Sequence, residues 1–153
     1  MDALTSDELA VCAEMLATCA CERLRSAARR VTQTYEAAIG PGGLRATQLP
    51  ILVALGSVGE MALTALADAI GVDRTTLTRN LAVLEQRGLV TAATDDQDAR
   101  VRLISITPAG RAALSDGLRR WQQVHAGVEQ RFGRERLAAL HAELAALSAA
   151  VQA

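Results

Sequence analysis

Residues Thr64–Leu77 constrain this chain more than any other stretch. Two short segments with helical apolar spacing, Thr64–Ile70 and Arg74–Arg87, are separated only by Gly71-Val72-Asp73, so the two helices must cross steeply. Such a crossing needs a small side chain at the contact and a glycine where the backbone turns. It also needs an apolar side chain where the second helix seats on the first. Ala67, Gly71 and Leu77 stand at those offsets, which are the offsets of a helix-turn-helix. An ordinary helical hairpin can carry the same Ala and Gly, so this pattern alone does not assign a function.

The second helix is more informative. At 100° per residue Leu77, Leu81 and Leu84 share one side and form a core stripe. The opposite side carries Thr75, Arg79, Ala82 and Gln86, flanked by Thr76 and Thr78, with no acid in its N-terminal half. A solvated helix usually mixes acids and bases there. Short hydroxyls, a guanidinium and small residues suit the edges of bases in a major groove. Arg79 is the expected base contact; Arg74, Thr75, Thr76 and Thr78 are expected at bases or phosphates, and Asp73 is expected to be the N-cap. Gly88 ends the helix.

Two strand-like runs follow, Leu89–Thr94 and Val101–Thr107, joined by the charged tip Asp95-Asp96-Gln97-Asp98-Ala99-Arg100. Arg100 and Arg102 flank a tip long enough to reach a minor groove, whose concentrated negative potential attracts Arg. Three aspartates at the same tip would repel phosphate. Either Asp98 pairs with Arg100 or a nearby Arg and fixes the shape of the hairpin, or the run is a solvated turn.

The rest of the chain reads as helix. One helix is expected from Ser6 or Asp7, with Ser6 as cap, to Ile39, stopped by Gly40-Pro41-Gly42-Gly43. Another is expected over Thr47–Leu55 with Thr47 as cap. Thr107-Pro108 opens a helix with apolar steps at Leu114, Leu118, Trp121, His125, Val128 and Phe132. A last helix carries Leu137, Leu140, Leu144, Leu147 and Val151. The fold class expected is mainly α with a small β-hairpin: residues 1–39 as an N-terminal helix for dimerisation, 44–111 as the DNA-binding region, and 112–153 as C-terminal dimerisation helices.

Composition agrees. Half of the 153 residues are apolar, with a single Trp, Tyr and Phe, so the core must be aliphatic. Net charge is −1, yet nucleic-acid binding needs local rather than total positive charge. All sixteen basic residues are Arg, so every phosphate contact would come from a guanidinium fork. No apolar run has the length of a membrane span, and the acidic N-terminus lacks the basic region of a signal peptide. A cytoplasmic protein is expected, with reduced thiols.

Three blocks together resemble the MarR family of winged-helix regulators. They are Leu66-Ala67-Asp68-Ala69-Ile70-Gly71-Val72-Asp73-Arg74-Thr75-Thr76-Leu77-Thr78-Arg79, then Leu84-Glu85-Gln86-Arg87-Gly88-Leu89-Val90, then Asp98-Ala99-Arg100 with Ile104-Ser105-Ile106-Thr107-Pro108-Ala109-Gly110. The resemblance implies a triangular homodimer with interlocking terminal helices, binding a near-palindromic operator in double-stranded DNA and usually repressing. It implies that Asp98 braces the wing and Arg100 enters the minor groove. Many members place a basic residue near Ala92, and this chain does not. The apolar stripes of the flanking helices exceed what a winged helix can cover; either they fold back as a monomeric bundle or, the favoured reading, they form a homodimer.

The signal is less determined. The family commonly responds to a small aromatic acid or to oxidation. Cys12, Cys19 and Cys21 leave three readings: buried packing, a redox switch, or a soft-metal, metalloid or iron–sulfur sensor. One continuous helix cannot bring all three sulfurs to one metal; a helix starting after Cys21, or thiolates shared across a dimer, could. Trp121 and His125 either pack or line a ligand cleft between the DNA-binding and dimer regions, packing being favoured; His141 is expected at the surface. No Ser–His–Asp arrangement or phosphate-cradling loop suggests an enzyme. A winged-helix module for protein interaction, without specific DNA binding, is the alternative function.

Overall fold

The computed structural model of the chain describes residues 4–96, 98 and 100–151. The expected first helix is two: α1 (Ser6–Thr18) and α2 (Ala20–Ile39), broken at Cys19, whose backbone is extended at φ −62°, ψ 109°. Local donors stabilise the break. Thr18 Oγ1 donates to Glu14 O at 2.9 Å and Arg23 Nη2 to Ala17 O at 3.3 Å, meeting carbonyls of the last turn. The cap of α1 is Thr5 rather than Ser6. Thr5 Oγ1 accepts from Glu8 N and Glu8 Oε2 accepts from Thr5 N, a reciprocal capping box. No residue of α1 is buried.

Gly40–Gly42 forms a 3₁₀ turn, and Gly43 leaves it at φ +83°. The next helix, α3 (Leu49–Val58), starts two residues later than expected, and Thr47 does not cap it. Gln48 takes the cap position. Its buried side chain turns back, Oε1 accepting from Arg45 N at 3.0 Å, and stabilises the turn 45–48. Pro50 lies in the first turn of α3, where a missing N–H costs nothing.

A two-residue strand, β1 (Met61–Ala62), precedes α4 (Leu63–Ile70); it is too short to show alternation in sequence. After α5 (Arg74–Gln86) come β2 (Val90–Thr94) and β3 (Arg102–Ile106), in a three-stranded antiparallel sheet of order β1-β3-β2. Met61 faces Ile104, and Val90 faces Ile106. The helices α6 (Pro108–Phe132) and α7 (Arg134–Ala150) complete the chain. The protein is mainly α with a small sheet, a winged helix-turn-helix.

One aliphatic core runs from Ile39 to Ile106. Ala67 and Leu77 meet at the α4–α5 crossing, and Leu81, Leu84, Leu89 and Ile104 continue the core beneath the sheet. Gly71 turns the backbone at φ +66°, a conformation that favours glycine. The start of α6 is pinned to β2: Thr107 Oγ1 accepts from Gly110 N at 2.9 Å and donates to Gly88 O at 2.7 Å. The outer helices bury little. Leu9, Val11, Met15 and Leu16 of α1, Leu24 and Val31 of α2, and Leu140 and Leu144 of α7 are exposed. No helix among the described residues is long and apolar enough to cross a membrane.

Candidate nucleic-acid interface

Asp73 sets the start of α5. Its Oδ1 accepts from Thr76 N at 2.8 Å and its Oδ2 from Thr76 Oγ1 at 2.7 Å. These hydrogen bonds favour the ionised carboxylate and hold its pKa below the ordinary Asp range. A depressed pKa contributes stability that is present above the unfolded-state value and lost as pH falls through the folded one. We therefore expect Asp73→Ala to lower the thermal midpoint at neutral pH, with the deficit shrinking on acidification. Asp73→Asn, which keeps an acceptor, should recover much of the loss. Thermal melts across the acidic range would check both; an identical deficit at every pH would contradict the capping role.

Leu77, Leu81 and Leu84 are buried, so the opposite face of α5 points outward. Thr75 and Arg79 are exposed there; Arg74, on the stripe side of the first turn, is exposed at the helix end, and none of the three makes an ion pair with described residues. The neighbouring threonines differ from them. The Thr76 hydroxyl donates to Asp73, and the Thr78 hydroxyl donates to Arg74 O at 2.7 Å, so each keeps an acceptor for an outside partner but has its proton engaged. Among the threonines, Thr75 is the one whose hydroxyl proton remains available.

At the wing, Asp98 Oδ1 accepts from both the backbone N and Nε of Arg100 at 3.0 Å, and Oδ2 accepts from Nη2 at 3.1 Å. The Arg100 guanidinium holds the Asp98 carboxyl below its ordinary pKa range. Asp95 Oδ1 accepts from Asp98 N at 3.2 Å. Two of the three tip acids thus shape the turn, while the Arg100 side chain is 91% exposed. Gln97 and Ala99 lie outside the described residues. Arg102 is not a free wing cation: its Nη2 donates to both carboxylate oxygens of Glu85 at 2.9 Å, tying β3 to the last turn of α5. Glu85 is a residue that sequence reasoning passed over as part of a motif; no spacing rule brings it to Arg102.

Trp121 lines a cleft of about 780 Å³ formed by α2, α3, α4 and α6. His125 does not line it; it packs beneath, stacked on Trp121 with ring centroids 4.5 Å apart, its Nδ1 3.0 Å from the Tyr35 hydroxyl. Tyr35, the single tyrosine of the chain, supplies a polar atom to the cleft. His141 is exposed. Cys12 and Cys21 are exposed and Cys19 is half-buried at the helix break. The break cancels the continuous-helix geometry expected for the cysteines. Among the described residues no three His, Cys, Asp or Glu side chains are gathered to hold a metal.

A model of the MarR family matches residues 42–101, from the α2–α3 turn to the wing. MosR of M. tuberculosis, whose crystal structure is in complex with DNA, is 38% identical, with a TM-score of 0.77; the match covers 89% of this chain and all of that one. The chain belongs to the MarR family of transcriptional regulators. MarR-family regulators are DNA-binding proteins and not enzymes. CouR, a transcriptional repressor bound to a 23-mer DNA duplex, is 25% identical with a TM-score of 0.78, covering 88% of this chain and 95% of its own. BpsR of Bordetella bronchiseptica, whose DNA binding is regulated by 6-hydroxynicotinic acid, is also 25% identical, with a TM-score of 0.73 and coverage of 83% and 96%. No curated protein matches the chain.

Proposed function

We propose that this MarR-family protein is a cytoplasmic, sequence-specific repressor that binds a near-palindromic operator as a homodimer. The observation that carries the proposal is the outward face of α5, where Thr75 and Arg79 stand exposed with free donors while the leucine stripe is buried. Arg79 reads a guanine edge, Thr75 and Arg74 contact bases or phosphates at the groove rim, and Thr76 and Thr78 accept. Arg100, oriented by Asp98, enters the adjacent minor groove, where Arg is attracted by potential rather than by base identity. The DNA complexes of MosR and CouR support this reading.

The large apolar side chains that α1, α2 and α7 leave in water support the homodimer, since a second copy would cover them. Release from the operator is assigned to a small molecule in the Trp121 cleft, as the response of BpsR to a small ligand suggests. A redox or soft-metal response at Cys12, Cys19 and Cys21 is the second reading, favoured by the exposure of the Cys12 and Cys21 thiols.

Fluorescence anisotropy with promoter and shuffled duplexes tests the wing. Affinity should fall steeply with salt, as counterion release requires. Arg100→Ala should weaken binding to both duplexes by a similar factor and flatten the salt dependence by about one unit of log–log slope per wing. A loss confined to the promoter duplex would assign Arg100 to base reading instead.

A further inference from the structure

We propose that the Trp121 cleft is built for an uncharged, largely apolar small molecule and against an anionic one, an inference that rests on the reading of this cleft as the effector site. Its volume of about 780 Å³ lies within the range of small-molecule pockets. Its walls include Val53, Leu118 and Trp121, and the side-chain polar groups of its lining residues are the hydroxyls of Thr32, Tyr35 and Thr47 and the indole N–H of Trp121; no lining residue is Arg, Asp, Glu or His. A carboxylate entering such a cleft would leave water without gaining a cation. Uncompensated burial of charge is among the most costly events in recognition.

The polar end of the cleft adds to that cost. The Tyr35 hydroxyl lies 3.0 Å from His125 Nδ1, and His125 Nε2 lies 3.9 Å from Glu129 Oε1. Burial and the Glu129 carboxylate both push the Tyr35 pKa up, so this corner already disfavours a negative oxygen. Whatever penalises a phenolate there penalises a ligand carboxylate in the same place. An amide, ester or neutral phenol can instead hydrogen-bond the hydroxyls without bringing charge.

The cleft shares wall residues with a recess that borders the DNA-reading helix. Ala46, Thr47, Pro50 and Ile70 are shared with a second recess of about 290 Å³ that extends to Thr76 and Asn80 of α5. Thr47 Oγ1 sits 3.4 Å from Asn80 Oδ1 across it. A ligand that displaces these shared residues acts on α5 through them, which gives an apolar molecule a mechanical route to the operator contacts.

Trp121 is the one tryptophan of the chain, so its fluorescence reports the cleft alone. Full-length protein is titrated at neutral pH with 4-phenylbutyramide and with 4-phenylbutyrate, probes matched except for charge. The amide should shift Trp121 emission saturably and bind at least about tenfold more tightly than the acid. Val53→Arg, placing a guanidinium on the wall, should narrow or invert that preference while the thermal midpoint shows the variant folded. Equal or tighter binding of the acid to the native protein overturns the proposal, as does the absence of any Trp121 response to either probe. A Trp121 signal that follows protein concentration rather than probe would mean a second copy fills the cleft, and overturns it too. Operator binding is followed in parallel: if the acid binds and releases DNA, the effector cleft stands and only its ligand class fails.

Discussion

Arg79→Ala should abolish discrimination between operator and shuffled DNA while leaving the protein folded. A bidentate Arg–guanine pair contributes about 1–3 kcal/mol of discrimination, and a dimer makes the contact twice, so the expected loss of operator affinity is about thirtyfold to ten-thousandfold. Because Arg79 is exposed and makes no internal ion pair, its removal should change stability by no more than about 0.5 kcal/mol. Affinity for shuffled DNA should fall far less, since it rests on phosphate contacts. Arg79→Lys separates charge from shape: it keeps the cation but not the planar fork, and should recover the small loss on shuffled DNA while recovering only part of the operator preference. Parallel binding curves on the two duplexes, with a melting curve for each variant, check the set. Equal losses on both duplexes would make Arg79 a phosphate contact.

The second large effect concerns stability. Gly110→Ala should lower it by about 3 kcal/mol, near the upper end of typical overpacking costs, and reduce the melting temperature by about 6–12 °C for a chain of this size. A Cβ at Gly110 would lie 2.0 Å from Leu89 O and 2.8 Å from Ile106 Cγ1. Leu89 O cannot yield, because it accepts from Thr107 N at 3.1 Å and joins β2 to the start of α6. Relief requires prising the long helix off the sheet. Gly127→Ala is the control. Gly127 lies inside α6, and a Cβ there would meet only the flexible end of Arg131, at 3.6 Å or beyond, so alanine there should be neutral or add up to about 1 kcal/mol. Denaturant or thermal unfolding distinguishes the two, and a Gly110→Ala variant as stable as the native protein would refute the close approach.

The parts legible in the sequence are those fixed by local chemistry. The α4–α5 crossing, the Asp73 cap, the Thr107-Pro108 helix start and the leucine stripe of α5 each follow from a few neighbouring residues with one strong preference. The misplacements have a common cause in long-range or competing contacts. At the break at Cys19, Arg23 meets the Ala17 carbonyl that a continuous helix would have satisfied itself. α3 starts after Gln48 rather than Thr47, and the buried Gln48 side chain makes no cap hydrogen bond to the helix but holds Arg45 N in the turn before it. β1 exists only because β3 lies beside it. At the interface, the outward face of α5 could be read from helical period alone. The pairing of Arg102 with Glu85, seventeen residues away in the chain, could not. The cleft was half visible: Trp121 lies on its wall, whereas its neutral character emerges only when α2, α3, α4 and α6 are assembled.

Selection of bound duplexes from a random-sequence library by the purified full-length protein tests the central claim most directly. The account predicts enrichment of one near-palindromic motif whose half-sites are about one helical turn apart, and its disappearance with Arg79→Ala. Recovery of no motif, or retention of no duplex even at low ionic strength, would contradict it.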